Sequence, residues 1–113
     1  MALHHVALGR QSINLIQSTG VFRQWLGKLP DAQARARIIS RIERAARGNF
    51  GDVRAIANGV WEMRIHTGPG YRVNYAAHGR EVYLLIAGGT KNTQQRDIDM
   101  AQSIWSSIIK DKT

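Results

Sequence analysis

Cysteine is absent from the 113 residues, which excludes a disulfide framework, a thiolate zinc site and a thiol nucleophile. Such a composition suits a reducing cytoplasm, the compartment expected for this chain. Long apolar runs are missing too, since no stretch approaches the ~20 residues that a membrane span requires. The opening Met1-Ala2-Leu3-His4-His5 lacks a basic start, and Gly9-Arg10 interrupts the short apolar stretch that follows. No secretory leader is therefore expected. Acidic residues are few: 8 Asp and Glu stand against 16 Lys and Arg, leaving a formal net charge of +8.

That imbalance bears on partners rather than on fold. Nucleic acid or an acidic protein is the complementary surface. The excess is mainly arginine and is concentrated locally. Between Ala32 and Arg54 stand Arg35, Arg37, Arg41, Arg44, Arg47 and Arg54, against only Glu43 and Asp52. The planar guanidinium fork matches phosphate geometry, which solubility alone does not call for.

No internal repeat, low-complexity tract or linker divides the chain, and one domain spanning residues 13–113 is expected. Residues 1–12 have no clear period and read as an N-terminal extension or a cloning remnant. Ile13 to Ser18 reads as a first strand, broken by Thr19-Gly20. Val21, Phe22, Trp25, Leu26 and Leu29 fall at helical spacing, ended by Pro30-Asp31. Asp31 is a suitable N-cap for a second helix over Ala32 to Arg47, with Ile38, Ile42 and Ala45 inward and arginines on much of the remainder. Two helices joined so closely form a hairpin, closed by Gly48.

The second half reads as a sheet. Val53 to Ile56 is a short strand, and Asn58-Gly59 is a strong hairpin turn. Val60 to His66 and Tyr71 to Ala77 alternate apolar and polar residues about the turn Gly68-Pro69-Gly70. Glu81 to Ala87 contains the unbroken Val82-Tyr83-Leu84-Leu85-Ile86 of a strand covered on both faces, and Gly88-Gly89 is expected to stop it. A last helix is expected from about Asn92 to Ile109, with Asn92 and Gln95 spaced as a capping box. The class is α+β: an N-terminal strand and a two-helix hairpin packed on an antiparallel-rich sheet, with a C-terminal helix.

Register locates the chemistry. If the apolar residues share a face, Met63 opposes Val73, Ile65 opposes Tyr71 and Trp61 opposes Tyr75. Arg64 then lies directly across from Arg72 on the other face, with Glu62 near Asn74 and His66 beside the turn. Opposed arginines repel, so an anion must compensate them: a resident carboxylate such as Glu62, or a phosphate brought by a ligand. Lys91, after the glycine pair, adds a third cation. Taken alone, His66 reads as a turn-flanking surface residue, and Trp25, Trp61 and Trp105 read as core.

Several segments carry a resemblance in order: Gly59-Val60-Trp61-Glu62-Met63-Arg64-Ile65, Gly68-Pro69-Gly70-Tyr71-Arg72-Val73, Gly88-Gly89-Thr90-Lys91 with Gln94 and Asp97-Ile98, and earlier Gly48-Asn49-Phe50-Gly51-Asp52 with Phe22 and Trp25-Leu26. From about Ile13 to Ala101 the chain resembles the HigB-like (addiction module killer protein) branch of the RelE/ParE toxin superfamily. It departs from that pattern at Asn74, where an aromatic residue is expected. The resemblance implies a RelE-like fold and the toxin of a type II toxin–antitoxin pair. It further implies a metal-independent, cofactor-free endoribonuclease that cleaves messenger RNA on the ribosome, a 2′-hydroxyl attacking the adjacent phosphate. Carried over, Arg72 binds that phosphate, Arg64 assists, and Lys91 serves the leaving oxygen or the backbone. Glu62 and His66 share the face and have chemistry suited to proton transfer. Arg35, Arg37, Arg41, Arg44 and Arg47 would contact RNA phosphates. The implied partners are the ribosome, messenger RNA and a cognate antitoxin, a small helix-turn-helix protein, in a homodimer or a toxin–antitoxin heterotetramer. Two alternatives stay open: a ParE-like toxin that binds DNA gyrase without catalysis, and an inactive RNA- or ribosome-binding module.

Overall fold

The computed structural model describes Leu3–His5 and residues 13–111. The expectation of an extension or cloning remnant over residues 1–12 therefore falls mostly outside the described residues. Leu3–His5 itself is strand β1, paired antiparallel with β2, Leu15–Thr19. Helices α1 (Gly20–Gly27) and α2 (Ala32–Ala46) follow. Then come β3 (Val53–Ala57), β4 (Val60–Ile65), β5 (Tyr71–Ala77) and β6 (Val82–Thr90). A 3-10 turn at Lys91–Thr93 leads into α3, Gln94–Asp111. The six strands form one sheet in the order β1-β2-β6-β5-β4-β3. All pairs are antiparallel except β2 with β6.

Helix starts follow from capping chemistry. Thr19 Oγ1 accepts from Phe22 N at the head of α1, and Asp31 accepts from Gln33 N and Ala34 N at the head of α2. Thr19 Oγ1 also donates to Ile86 O at 2.6 Å, tying the cap to β6. Gly48 ends α2 with φ 99°, and Asn58-Gly59 turns β3 into β4 with φ 56° and 83°, the left-handed pair that a two-residue hairpin demands.

The sheet is covered on both faces. Ile38, Ile42 and Ala45 of α2 and Phe22 of α1 pack with Met63, Val73, Tyr75 and Leu85. On the opposite face Ala101, Trp105 and Ile108 of α3 pack with Val60, Ala76, Leu84 and Ile86. Leu84, Leu85, Ile86 and Ala87 are all buried, as the unbroken apolar run of this strand predicts.

Three local expectations need correction. Gly88-Gly89 do not stop β6, which continues to Thr90. A bulge at Ile86 sets Asn74 opposite Ala87 but Tyr75 opposite Leu85. Beyond it Gly88 faces Trp25 and Gly89 faces Asp97, each so closely that a Cβ would collide with that side chain. The glycines admit helices against the two sheet faces rather than breaking the strand. The reciprocal cap joins Thr90 and Thr93, not Asn92 and Gln95; Gln95 instead bonds Asp99. Trp61 is half-exposed, stacked on Tyr75 at a ring separation of 6.5 Å near the sheet edge.

Candidate functional site

The β4–β5 hairpin has the register that alternation predicts: Met63 opposes Val73, Ile65 opposes Tyr71, and Arg64 opposes Arg72. Met63 and Val73 are buried against the α1–α2 layer. Arg64 and Arg72 consequently emerge on the other face, beside Gly89 and the start of α3.

Each opposed arginine has a resident carboxylate. Glu62 is fully buried and lies 3.6 Å from Arg72 Nε and 3.5 Å from Arg54 Nη2. Gln94 Nε2, from the first turn of α3, donates to both Glu62 oxygens at 2.9 and 3.2 Å. A buried carboxylate is tolerated when cations and donors surround it in this way. Arg72 Nε faces the carboxylate at ion-pair distance, while Arg72 Nη1 and Lys91 Cβ lie beside Gly70. Lys91 is exposed, and its N–H donates to Gly70 O at 2.8 Å. Arg72 and Lys91 thus flank one glycine at the sheet's end.

Arg64 and His66 converge on Asp52. Arg64 Nη2 donates to Asp52 Oδ1 at 2.8 Å, and His66 Nε2 is 2.5 Å from Asp52 Oδ2. The hydrogen bond from His66, then that from Arg64, hold the Asp52 carboxyl below its ordinary range. Behind this group Arg41 donates to Arg64 O at 2.6 Å and Phe50 O at 3.0 Å. Burial, then the charge of Arg44, lower the Arg41 guanidinium from its usual value.

The four arginines of α2 and its C-cap Arg47 separate into two kinds. Arg37, Arg44 and Arg47 are exposed. Arg35 and Arg41 are partly buried and bind backbone carbonyls, Arg35 donating to Leu29 O at 2.8 Å. Between α2 and the end of β4 opens a cleft of about 300 Å³, lined by Arg37, Ser40, Arg41 and Arg44 on one side and by Ile65, His66 and Thr67 on the other.

The structure thus forms two clusters: Glu62 with Arg54, Arg72 and Gln94, and Asp52 with Arg64 and His66. Sequence patterning alone assigns no site role to Asp52, Arg54 or Gln94. Cross-strand polarity held a usable signal for two of them. Arg54 opposes Glu62 and Val53 opposes Met63 only if β3 carries a bulge, which the structure has between Ala55 and Ala57; that register brings Asp52 to Arg64. Among the described residues, no cluster of three or more side chains suited to a metal ion forms.

Residues 24–105 match the family described as "Phage derived protein Gp49-like (DUF891)". An uncharacterized protein of Haemophilus influenzae (strain ATCC 51907 / DSM 11121 / KW20 / Rd) is 41% identical over 93 residues, covering 82% of this chain and 94% of that protein. No solved structure matches the chain.

Proposed function

Because the chain belongs to the Gp49-like phage-derived family, whose proteins are RelE-like and associated with toxin–antitoxin pairs, we propose that it is a HigB-like toxin that arrests translation by cutting messenger RNA on the ribosome. One observation carries this reading: the fork of Arg72, ion-paired with a buried carboxylate, lies beside Gly70 and Lys91 with Arg64 directly across the hairpin. Preset guanidinium donors stabilise charge as it develops on a phosphate. A gyrase-binding surface has no need of cations gathered there.

In the proposed reaction the 2′-oxygen bonds to phosphorus as its proton departs, and the bond to the 5′-oxygen breaks as that oxygen gains a proton. Arg72 and Arg64 hold the phosphate, and Lys91 faces the leaving oxygen. His66, steadied by Asp52, is the proton-transfer group. Glu62 acts through Arg72 as a positioning residue. The antitoxin, a small helix-turn-helix protein, would restrain the toxin in a homodimeric or heterotetrameric assembly.

Message cleavage in a translating extract tests this, with gyrase supercoiling measured in parallel. Arg72→Ala lowers cleavage by about two to three orders of magnitude, the usual loss for one preorganised donor. Arg72→Lys recovers only part, lacking the fork. Arg72→Ala also deprives Glu62 of a partner, so Lys91→Ala, at an exposed position, gives an independent reading: cleavage falls while the melting temperature holds. Intact messages with inhibited gyrase would replace the nuclease with the ParE-like reading.

A further inference from the structure

The cleft between α2 and the end of β4 has a composition that folding does not require. Arg37, Arg41 and Arg44 project from one face of α2 at i, i+4 and i+7, where like charges repel. Arg41 is committed to carbonyls of the β4 end and of the loop before β3. Arg37 and Arg44 are exposed at the rim. No carboxylate lines the cleft. The nearby Asp52 is engaged by Arg64 and His66. Facing the arginines are His66 and the hydroxyl of Thr67, and Ser40 adds a second hydroxyl on the α2 side. Ile65 supplies a small apolar floor.

We propose that this cleft is a second phosphate subsite, which holds a backbone phosphate of single-stranded RNA between Arg37 and Arg44. The inference rests on the RNA reading above and deepens it. Cations without a resident counter-ion, hydroxyl donors and a volume of about 300 Å³ fit one nucleotide unit. Small-ligand sites begin at about that size. Ile65 is the one apolar side chain in the lining, which offers no pocket for the aromatic or aliphatic anchors by which a peptide gains affinity. The Asp52 group links the subsite to the first. His66 and Arg64 share Asp52, and Arg64 lies across the hairpin from Arg72. One strand of RNA could pass from the cleft, around the Asp52 group, to Arg72 and Lys91. Arg35, bound to Leu29 O, and Arg47 lie outside this path. The basic helix is thereby divided into a specific site and solvated charge.

The test uses the full chain and a 2′-O-methyl single-stranded RNA dodecamer, which presents phosphates without a reactive hydroxyl, followed by fluorescence anisotropy across a salt series. Arg37→Gln with Arg44→Gln weakens binding about tenfold and lowers the salt slope by about 0.7, the value for one phosphate on a single strand. Lys28→Gln with Arg80→Gln, removing two exposed cations outside the cleft, leaves the slope within a few tenths. Circular dichroism confirms that each variant is folded. Equal losses in the cleft and control variants would overturn the subsite, and so would unchanged RNA binding. If a polyglutamate peptide loses affinity in the cleft variant while RNA does not, the site belongs to a protein partner and the proposal falls. The two readings fail separately. Loss of RNA binding in the cleft variant with no message cleavage by the native chain retains the subsite and removes the nuclease. Cleavage abolished by Arg72→Ala with normal RNA binding by the cleft variant does the reverse.

Discussion

Glu62 is the residue whose surroundings leave it least freedom. Its carboxyl has zero exposure between Arg54, Arg72 and Gln94, so its removal leaves Arg72 facing Arg64 without a carboxylate partner. Glu62→Ala is expected to cost about 3–5 kcal/mol, the usual penalty for breaking a buried pair from one side. Glu62→Gln, which keeps the shape and an acceptor for Gln94, costs less; urea midpoints at constant slope order the two. Asp52 behaves differently because its partners lie near the surface. Its carboxyl is held low in the folded state, so the stability it lends is complete above the ordinary value of about 3.9 and is lost as pH falls through the folded value. His66→Ala removes the largest cause and returns the Asp52 titration toward that ordinary value, as a carboxyl NMR titration would record. Burial pushes the Tyr75 hydroxyl up to about 12, so ultraviolet titration should find one tyrosine ionising last, and Tyr75→Phe should remove that step.

At the scale of elements, two glycines govern how the layers meet. Gly89→Ala would drive a methyl into the Asp97 carboxylate and lift the first turn of α3 from the sheet. A loss of at least about 1–3 kcal/mol is expected, as for other overpacked positions. Asp31→Ala, which removes only the α2 cap, costs about 1 kcal/mol. Thermal melts of the two variants compare them directly. The same glycines mark where sequence was hard to read. Gly-Gly after a strand ordinarily signals a break, and only the helices packed against β6 turn it into a close approach. The Arg64–Arg72 register was legible because alternation on both strands permits one alignment. The bulge at Ile86 was not, nor was the burial of Glu62, since both depend on where α3, remote in sequence, comes to rest. The cap at Thr90 escaped notice because Asn92 and Gln95 offered an equally spaced alternative two residues later.

For the whole molecule, positive charge is organised by position rather than spread evenly. The hairpin end and the exposed α2 rim carry cations that neither core layer uses, while Arg41 and Arg54 serve the fold. Raising the salt concentration should therefore weaken nucleic-acid binding far more than it changes the melting temperature, which parallel anisotropy and melting series would establish. The parallel pairing of β2 with β6, sealed by the bond from Thr19 to Ile86, has a consequence in time. The first central strand waits for its neighbour until residues 82–90 have been synthesised, while the β4–β5 hairpin can close as soon as Ala77 appears. A chain still threaded in the exit tunnel with β6 inside has no complete sheet, no docked α3 and no Gln94 over Glu62. The surface around Glu62 is therefore finished only once β6 and α3 have left the ribosome and the two halves of the chain are sewn together.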